Sequence, residues 1–395
     1  MPNFSKWIPW IMAALAFAHF NALAVTALQP SRDDDVLEVL PTITRNRPTS
    51  SAAARPVADP ALAALAARQN IAMARETGET RYWGRAQAVL SPWWDGADAP
   101  SDLAVLQATV QQGRHEFDAS RQVLGATLAR TPGHAQGWLN LAALERLSAR
   151  YAQSLSACEA VARAGQALYA AACRLETQSL QGKHPVAAQG LQALITQAAN
   201  TDQRSWLLSL LAESLERAGR DRAAVDAYQR SLALAPDLYT SIAYSDLLLR
   251  TGKPAQALQA LEKLPETDAV LLRRAGAWRR LGDTQWTSAR TRLQERTAEL
   301  LRRGDDPSVH RRELALVALW LDDDPVRALG LARGNLRLQR EPLDWWVALQ
   351  SAHLAKDIAA LTDIAREIHT AGLVDMRLTA WLPEITRRRS DRLPK

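Results

Sequence analysis

The chain has 395 residues, 47% hydrophobic and 23% charged, which is enough apolar material for a large core and excludes disorder throughout. Its formal charge of +6 is modest for that length. The first residues, MPNFSKWIPWIMAALAFAHFNALA, place one cation at Lys6, an apolar stretch from Trp7 to Phe20 and then Ala22-Leu23-Ala24. That order of charge, apolar run and small-x-small triplet is a secretory signal peptide, residues 1–24, with cleavage expected after Ala24. Read instead as an uncleaved anchor, the stretch falls short of the ~20 residues that span a bilayer. No cysteine follows it to carry a lipid, and no later segment is long and apolar enough to span. The mature chain is therefore expected to be exported and periplasmic, away from nucleic acid and without a stable membrane span.

Residues 25–59 turn to Pro, Thr, Ser, Arg and Asp, including Asp33-Asp34-Asp35 and Pro41, Pro48 and Pro56, and read as a flexible linker. Inside it, Val36-Leu37-Glu38-Val39-Leu40 is an apolar island that either packs on the remainder or stays free. From residue 61 onward the apolar residues recur at helical spacing in runs of one to two dozen, broken by Gly, Pro or Asp. Strand signals are almost absent. The breaks are regular: Pro132 and Pro236 each end a pair of helices, while Gly219, Gly252 and Gly282 fall in the middle of one. Such regularity points to internal repeats.

The clearest unit is SWLLSLLAESLERAGRDRAAVDAYQRSLALAP, Ser205 to Pro236. Leu208, Leu211, Ala212 and Leu215 mark its first helix, Gly219 its turn, Ala224, Val225, Tyr228 and Leu232 its second helix, and Pro236 its end. Small residues such as Ala212 and Ala224 let two helix axes approach, and Tyr228 and Leu232, four apart, share a face. This unit resembles a tetratricopeptide repeat, a pair of antiparallel helices with a period of ~34 residues. The frame extends to units beginning at Ser101 (Ala108, Phe117, Leu124, Leu128), Ala135 (Trp138, Leu141, Ala142, Tyr151, Leu155, Cys158) and Tyr169 (Leu175, Gly182, Ala188, Leu191). Beyond Pro236 it takes in Tyr244, Leu248, Ala257, Leu258 and Leu261, closed by Pro265, and then an Asp268 unit with Leu271, Ala275 and Trp278.

The resemblance implies an all-α, right-handed superhelical solenoid of antiparallel helix pairs. It divides the chain into an atypical N-terminal helix pair (60–100), tetratricopeptide-like repeats (101–265), divergent helix pairs (266–375) and a C-terminal helix with a basic tail (376–395). In the divergent part the helix after Gly282 runs to about Arg303, and Trp346 and Leu349 fall at the family's places. Terminal repeats depart from a consensus because they must cap an exposed core.

Residues for chemistry are scattered. Of the seven histidines, His115, His134, His184, His310, His353 and His369 remain after signal removal, and no two stand three or four apart to grip a metal from one helix. His115-Glu116 lacks a second histidine, and Thr251-Gly252-Lys253 lacks the first glycine of a phosphate loop. The chain is read as non-enzymatic, with no cofactor and no metal. Cys158 lies on the second helix of one unit and Cys173 on the first helix of the next. A loop centred near Gly165 could bring them side by side as a disulfide in an oxidising compartment; the alternative is two separate small core residues. The thirteen tryptophans, with pairs at Trp93-Trp94 and Trp345-Trp346, suit gap-filling between helix pairs.

Arrays that resemble this one bind extended peptides or partner helices along the concave face, lined by the first helix of each pair. Carried over position by position, that groove comprises Arg146, Trp206, Ser209, Glu213, Arg217, Tyr239, Asp246, Arg250 and Arg279. The implied function is a scaffold or adaptor for a protein or peptide partner in the cell envelope. Glu213 with Arg217, an i, i+4 pair, could equally serve only its own helix. A second reading rests on the arginines between 273 and 312, set among only Asp283, Glu295, Glu299, Asp305 and Asp306, and on Arg387, Arg388, Arg389 and Arg392 in the tail. These could bind an anionic polymer or membrane surface, or form a solvated helix face.

Overall fold

Local capping signals start several of the helices. Asn200, Asp237, Thr267, Asp324 and Asp357 each take a backbone N–H of the following first turn on a side-chain oxygen. Such caps answer N–H groups that a helix start leaves without a partner. The computed structural model describes residues 59–302, 307–379 and 381. The signal peptide, all but the last residue of the linker with its Val36–Leu40 island, Arg303 and the tail arginines lie outside the described residues.

Among the described residues, nine helix pairs follow one another. They are α1 (Pro60–Thr77) with α2 (Arg81–Leu90), α3 (Ser101–Gly113) with α4 (Phe117–Arg130), and α5 (Ala135–Leu147) with α6 (Tyr151–Arg163). Next come α7 (Ala167–Leu180) with α8 (His184–Gln197), α9 (Thr201–Arg217) with α10 (Asp221–Leu234), and α11 (Leu238–Arg250) with α12 (Pro254–Leu261). The divergent part supplies α13 (Asp268–Leu281) with α14 (Gln285–Arg302), α15 (Arg311–Trp320) with α16 (Pro325–Asn335), and α17 (Pro342–Leu354) with α18 (Ile358–Ala371). A four-residue helix, α19 (Met376–Thr379), ends the described chain.

The pairs form an all-α solenoid. Odd-numbered helices pack on the next odd-numbered helix, α3 on α5, α5 on α7, α7 on α9, and again from α11 through α17. The first helix of each pair therefore makes the inner layer, and the second helices make the outer one. In the Ser205 unit, Leu208, Leu211, Ala212, Leu215, Ala224 and Tyr228 are all buried, and Gly219 makes the turn at φ +71°. Val225 and Leu232 are only partly buried; Ala227 and Ser231 occupy the core face of α10 instead. A helix advances 100° per residue, so 224, 227, 228 and 231 form the tighter stripe. Tyr228, 1% exposed, contributes roughly 2 kcal/mol by burial of its ring. In the divergent pairs the fully buried aromatic is Trp345, and Trp346 packs half-buried against the same core. The Trp345 indole N–H donates to the Arg340 carbonyl at 3.1 Å.

Later pairs also lie back against earlier ones. The backbone N–H of Arg340 donates to the Leu147 carbonyl at 2.7 Å, and that of Val374 to the Leu180 carbonyl at 2.8 Å. Leu147 and Leu180 are the last residues of α5 and α7. Terminal helix carbonyls have no partner within their own helix, so a backbone arriving from another pair satisfies them. Val374 also bridges Gln181, its side chain covers Gly182, and Met376 covers Gly219. Near the turn after α3, the His115 and His310 rings lie 6.5 Å apart. This contact line, from His115 through Leu147 and Gly182 to Gly219, is the seam.

Candidate functional site

Because the inner helices stack, side chains from successive pairs meet on the inner face. Arg146 of α5 reaches Glu176 of α7, Nη2 to Oε2 at 2.8 Å. Arg217 of α9 reaches Glu213 one turn earlier at 3.4 Å and donates from Nε to the Ser179 hydroxyl at 3.1 Å. The Tyr239 hydroxyl, from the start of α11, donates to Glu213 Oε1 at 2.9 Å. Arg146, Glu176, Glu213, Arg217 and Tyr239 line one cavity of about 360 Å³. Its far wall is the connection between α16 and α17, Gln339, Glu341 and Pro342, brought there by the seam, and Gln112 and His115 close one end.

Burial raises the Glu213 carboxyl; Arg217 opposes that, and Glu176 adds to it. The Tyr239 phenol is pushed well up, first by the charge of Glu213 and then by desolvation. Tyr239 is nonetheless 64% exposed. The cavity thus offers one accessible ring beside walls of largely buried, paired charges.

Four of the nine groove residues read from the sequence converge here: Arg146, Glu213, Arg217 and Tyr239. The other five are engaged elsewhere. The Trp206 ring, half-buried, packs on Tyr169 with centroids 5.6 Å apart, and Ser209, 6% exposed, donates its hydroxyl to the Trp206 carbonyl. Asp246 receives Arg273 through two bonds at 2.9 and 2.8 Å. Arg250 holds Asp221 at 2.6 and 3.0 Å and approaches Glu216 at 3.4 Å. Arg279 donates to the Trp320 carbonyl at 2.6 Å, pairs with Asp323 and lies over the Trp286 ring. An inner-helix position that faces a neighbouring pair, before or after it, is consumed by that pair. Glu176 was missed although it stands on an inner helix, where the same positional transfer would have found it. Glu341 and Gln339 had no signal, since only the seam brings them across.

The arginines of 273–312 are largely paired. Arg290 meets Asp322 at 2.5 Å, Arg296 meets Glu266 at 3.0 Å and Asp268 at 2.7 Å, and Arg312 meets Asp344 at 2.6 Å. Arg274 donates to carbonyls at the end of α12. Most of the partners lie outside the arginine-rich stretch, so local sequence understated the acid available. Cys158 and Cys173 form a disulfide with Cα atoms 5.6 Å apart, both buried among Ala142, Ala157, Trp138 and Leu139. The loop between them turns at Gly165, φ +81°. Among the described residues, no cluster of three or more His, Cys, Asp or Glu is placed to hold a metal ion, and no helix is long and apolar enough to cross a membrane.

No family model and no curated protein matches the sequence. Among solved structures, the human IFIT1 dimer with PPP-AAAA is similar with a TM-score of 0.44 at 11% identity, covering 79% of this chain and 72% of that one. The TPR domain of P58(IPK) is similar with a TM-score of 0.27 at 15% identity over 85% of this chain and 100% of that one. Yeast Tom70 is similar with a TM-score of 0.26 at 10% identity over 84% and 90%.

Proposed function

We propose that this chain is a non-enzymatic extracytoplasmic scaffold that holds a protein or peptide partner by a short segment entering the inner-face cavity. The observation that carries the reading is the convergence of Arg146, Glu213, Arg217 and Tyr239, from three different pairs, on one cavity with an accessible phenol at its wall. An amphipathic ring beside paired charges is a composition that anchors partners at protein interfaces. At about 360 Å³ the cavity suits an extended segment of a few residues and is too small for a whole helix. The Cys158–Cys173 disulfide supports export, because such bonds persist in oxidising compartments.

A photo-crosslinking residue at Tyr239 in the full-length tagged protein tests the site. A partner crosslinked from position 239, and not from Arg279, which α15 and the turn after it engage, is expected; its capture should drop at least tenfold with Glu213→Gln together with Tyr239→Ala. A partner that co-purifies undiminished with that variant removes the cavity as the site. Export is tested separately by sequencing the mature N-terminus, expected at Val25.

A further inference from the structure

His184 opens α8, two residues beyond Gly182, where Val374 crosses the seam. It is 9% exposed, and neither ring nitrogen has a hydrogen-bond partner among the described residues. Three surroundings disfavour a second proton on this ring. It is desolvated; it stands at the positive end of a helix; and the Arg217 guanidinium of α9 is close by. Asp375, on the segment that docks across the seam, is the acid that faces it. That carboxylate is already occupied, receiving Nε and the backbone N–H of Arg377, and Arg377 in turn reaches Glu216 at 2.8 Å. Lys183 precedes the ring in the chain, and the Tyr151 hydroxyl of α6, itself without a partner, shares the surroundings of Arg217 and Asp375.

We infer that the seam is an acid-labile closure: a proton taken up by His184 releases the Leu373–Arg377 segment from the ends of α7 and α9 and lets the later pairs move off the inner face. The sign follows from burial. A neutral imidazole is tolerated without partners, whereas an imidazolium with two unanswered N–H donors beside Arg217 is not. The imidazole's own pKa is accordingly lowered, by burial first and then by Arg217. The closed form is therefore at full stability above the ordinary imidazole range, near pH 6.5, and loses stability as the pH falls through and below it. His115 repeats the situation at the other end of the seam, with a buried, unpartnered Nδ1. Its ring faces His310, Arg312, Glu313 and Glu341, with Arg114 and Glu116 on its own turn. The two glutamates that face it soften the effect there, so His184 is the stronger element. Gln339, Glu341 and Pro342 form the far wall of the cavity, so opening the seam opens the cavity.

Hydrogen exchange at the Val374 amide reads the closure directly, since its acceptor is the Leu180 carbonyl across the seam. After correction for intrinsic exchange, its protection in the full chain should fall about tenfold between pH 7.5 and 5.0 while amides inside α9 and α10 keep theirs. His184→Leu should abolish that fall. Protection at Val374 that ignores pH, or that falls equally in His184→Leu, overturns the inference, as does a fall shared by α9 and α10. Solution scattering of the unaltered chain gives a second reading that needs no variant. A radius of gyration that rises reversibly at pH 5.0 is expected, and one unchanged over the range counts against the closure.

Discussion

Glu216 and Arg377 stand 161 residues apart in the chain, and Arg377 Nη1 donates to Glu216 Oε1 at 2.8 Å. Glu216, 5% exposed, also receives the Tyr228 hydroxyl at 3.2 Å and approaches Arg250 at 3.4 Å. One buried carboxylate thus ties the core of the Ser205 unit to the next pair and to the end of the solenoid. Burial alone would lower the Arg377 pKa; Glu216 and Asp375 outweigh it and hold the guanidinium charged.

Arg377→Ala takes the guanidinium from two buried carboxylates, Asp375 and Glu216, of which Glu216 keeps Tyr228 and Arg250. Removing one partner of a buried pair costs about 3 kcal/mol or more. The urea midpoint followed by tryptophan fluorescence should drop accordingly; a loss below about 1 kcal/mol would mean that the seam adds little to stability.

Gly182 and Gly165 separate backbone strain from seam packing. Both take positive φ, +85° and +81°, yet a Cβ at Gly182 would sit 2.9 Å from Val374 Cβ while one at Gly165 meets nothing within 4 Å. Gly165→Ala is expected to cost about 1 kcal/mol from the left-handed backbone alone. Gly182→Ala should cost at least ~1 kcal/mol more, from overpacking, and should lower protection of the Val374 amide. Equal melting temperatures for the two variants would contradict the contact.

The disulfide closes a loop with a sequence separation of 15, for which loop entropy gives about 3 kcal/mol of stabilisation. Cys158→Ala with Cys173→Ala should lower the unfolding free energy by about that amount, and alkylation of the natural protein should label neither thiol until it is unfolded and reduced. Two thiols labelled before reduction would reject the bond.

Trp206→Ala with Arg250→Ala would test a groove if those side chains were free. In this structure Trp206 packs on Tyr169 and Arg250 bridges to Asp221, so the double variant should lose roughly 3 kcal/mol or more. Tyr239→Ala, at an exposed ring, should stay within about 1 kcal/mol of the unaltered protein. Thermal melts of the two variants decide it: a stable double variant would restore Trp206 and Arg250 as free surface.

The sequence alone determined the helices and their pairing, because those follow from apolar spacing and glycine turns within some thirty residues; which helix of each pair faces inward was implied by the resemblance to tetratricopeptide repeats. Leu208, Ala212 and Tyr228 were legible as core for that reason, and so was the nearness of Cys158 to Cys173 across a single short loop. Tertiary structure alone decided which inner-face residues remain available. Asp246, Arg250 and Arg279 read as groove positions until partners on neighbouring pairs claimed them, and the arginines of 273–312 read as a binding or solvated face until acids from outside that stretch arrived. The seam was illegible for the same physical reason. Leu147 and Leu180 leave carbonyls that any N–H could answer, and only the winding of the solenoid brings Arg340 and Val374 to them, closing an inner face that the repeat pattern would leave open.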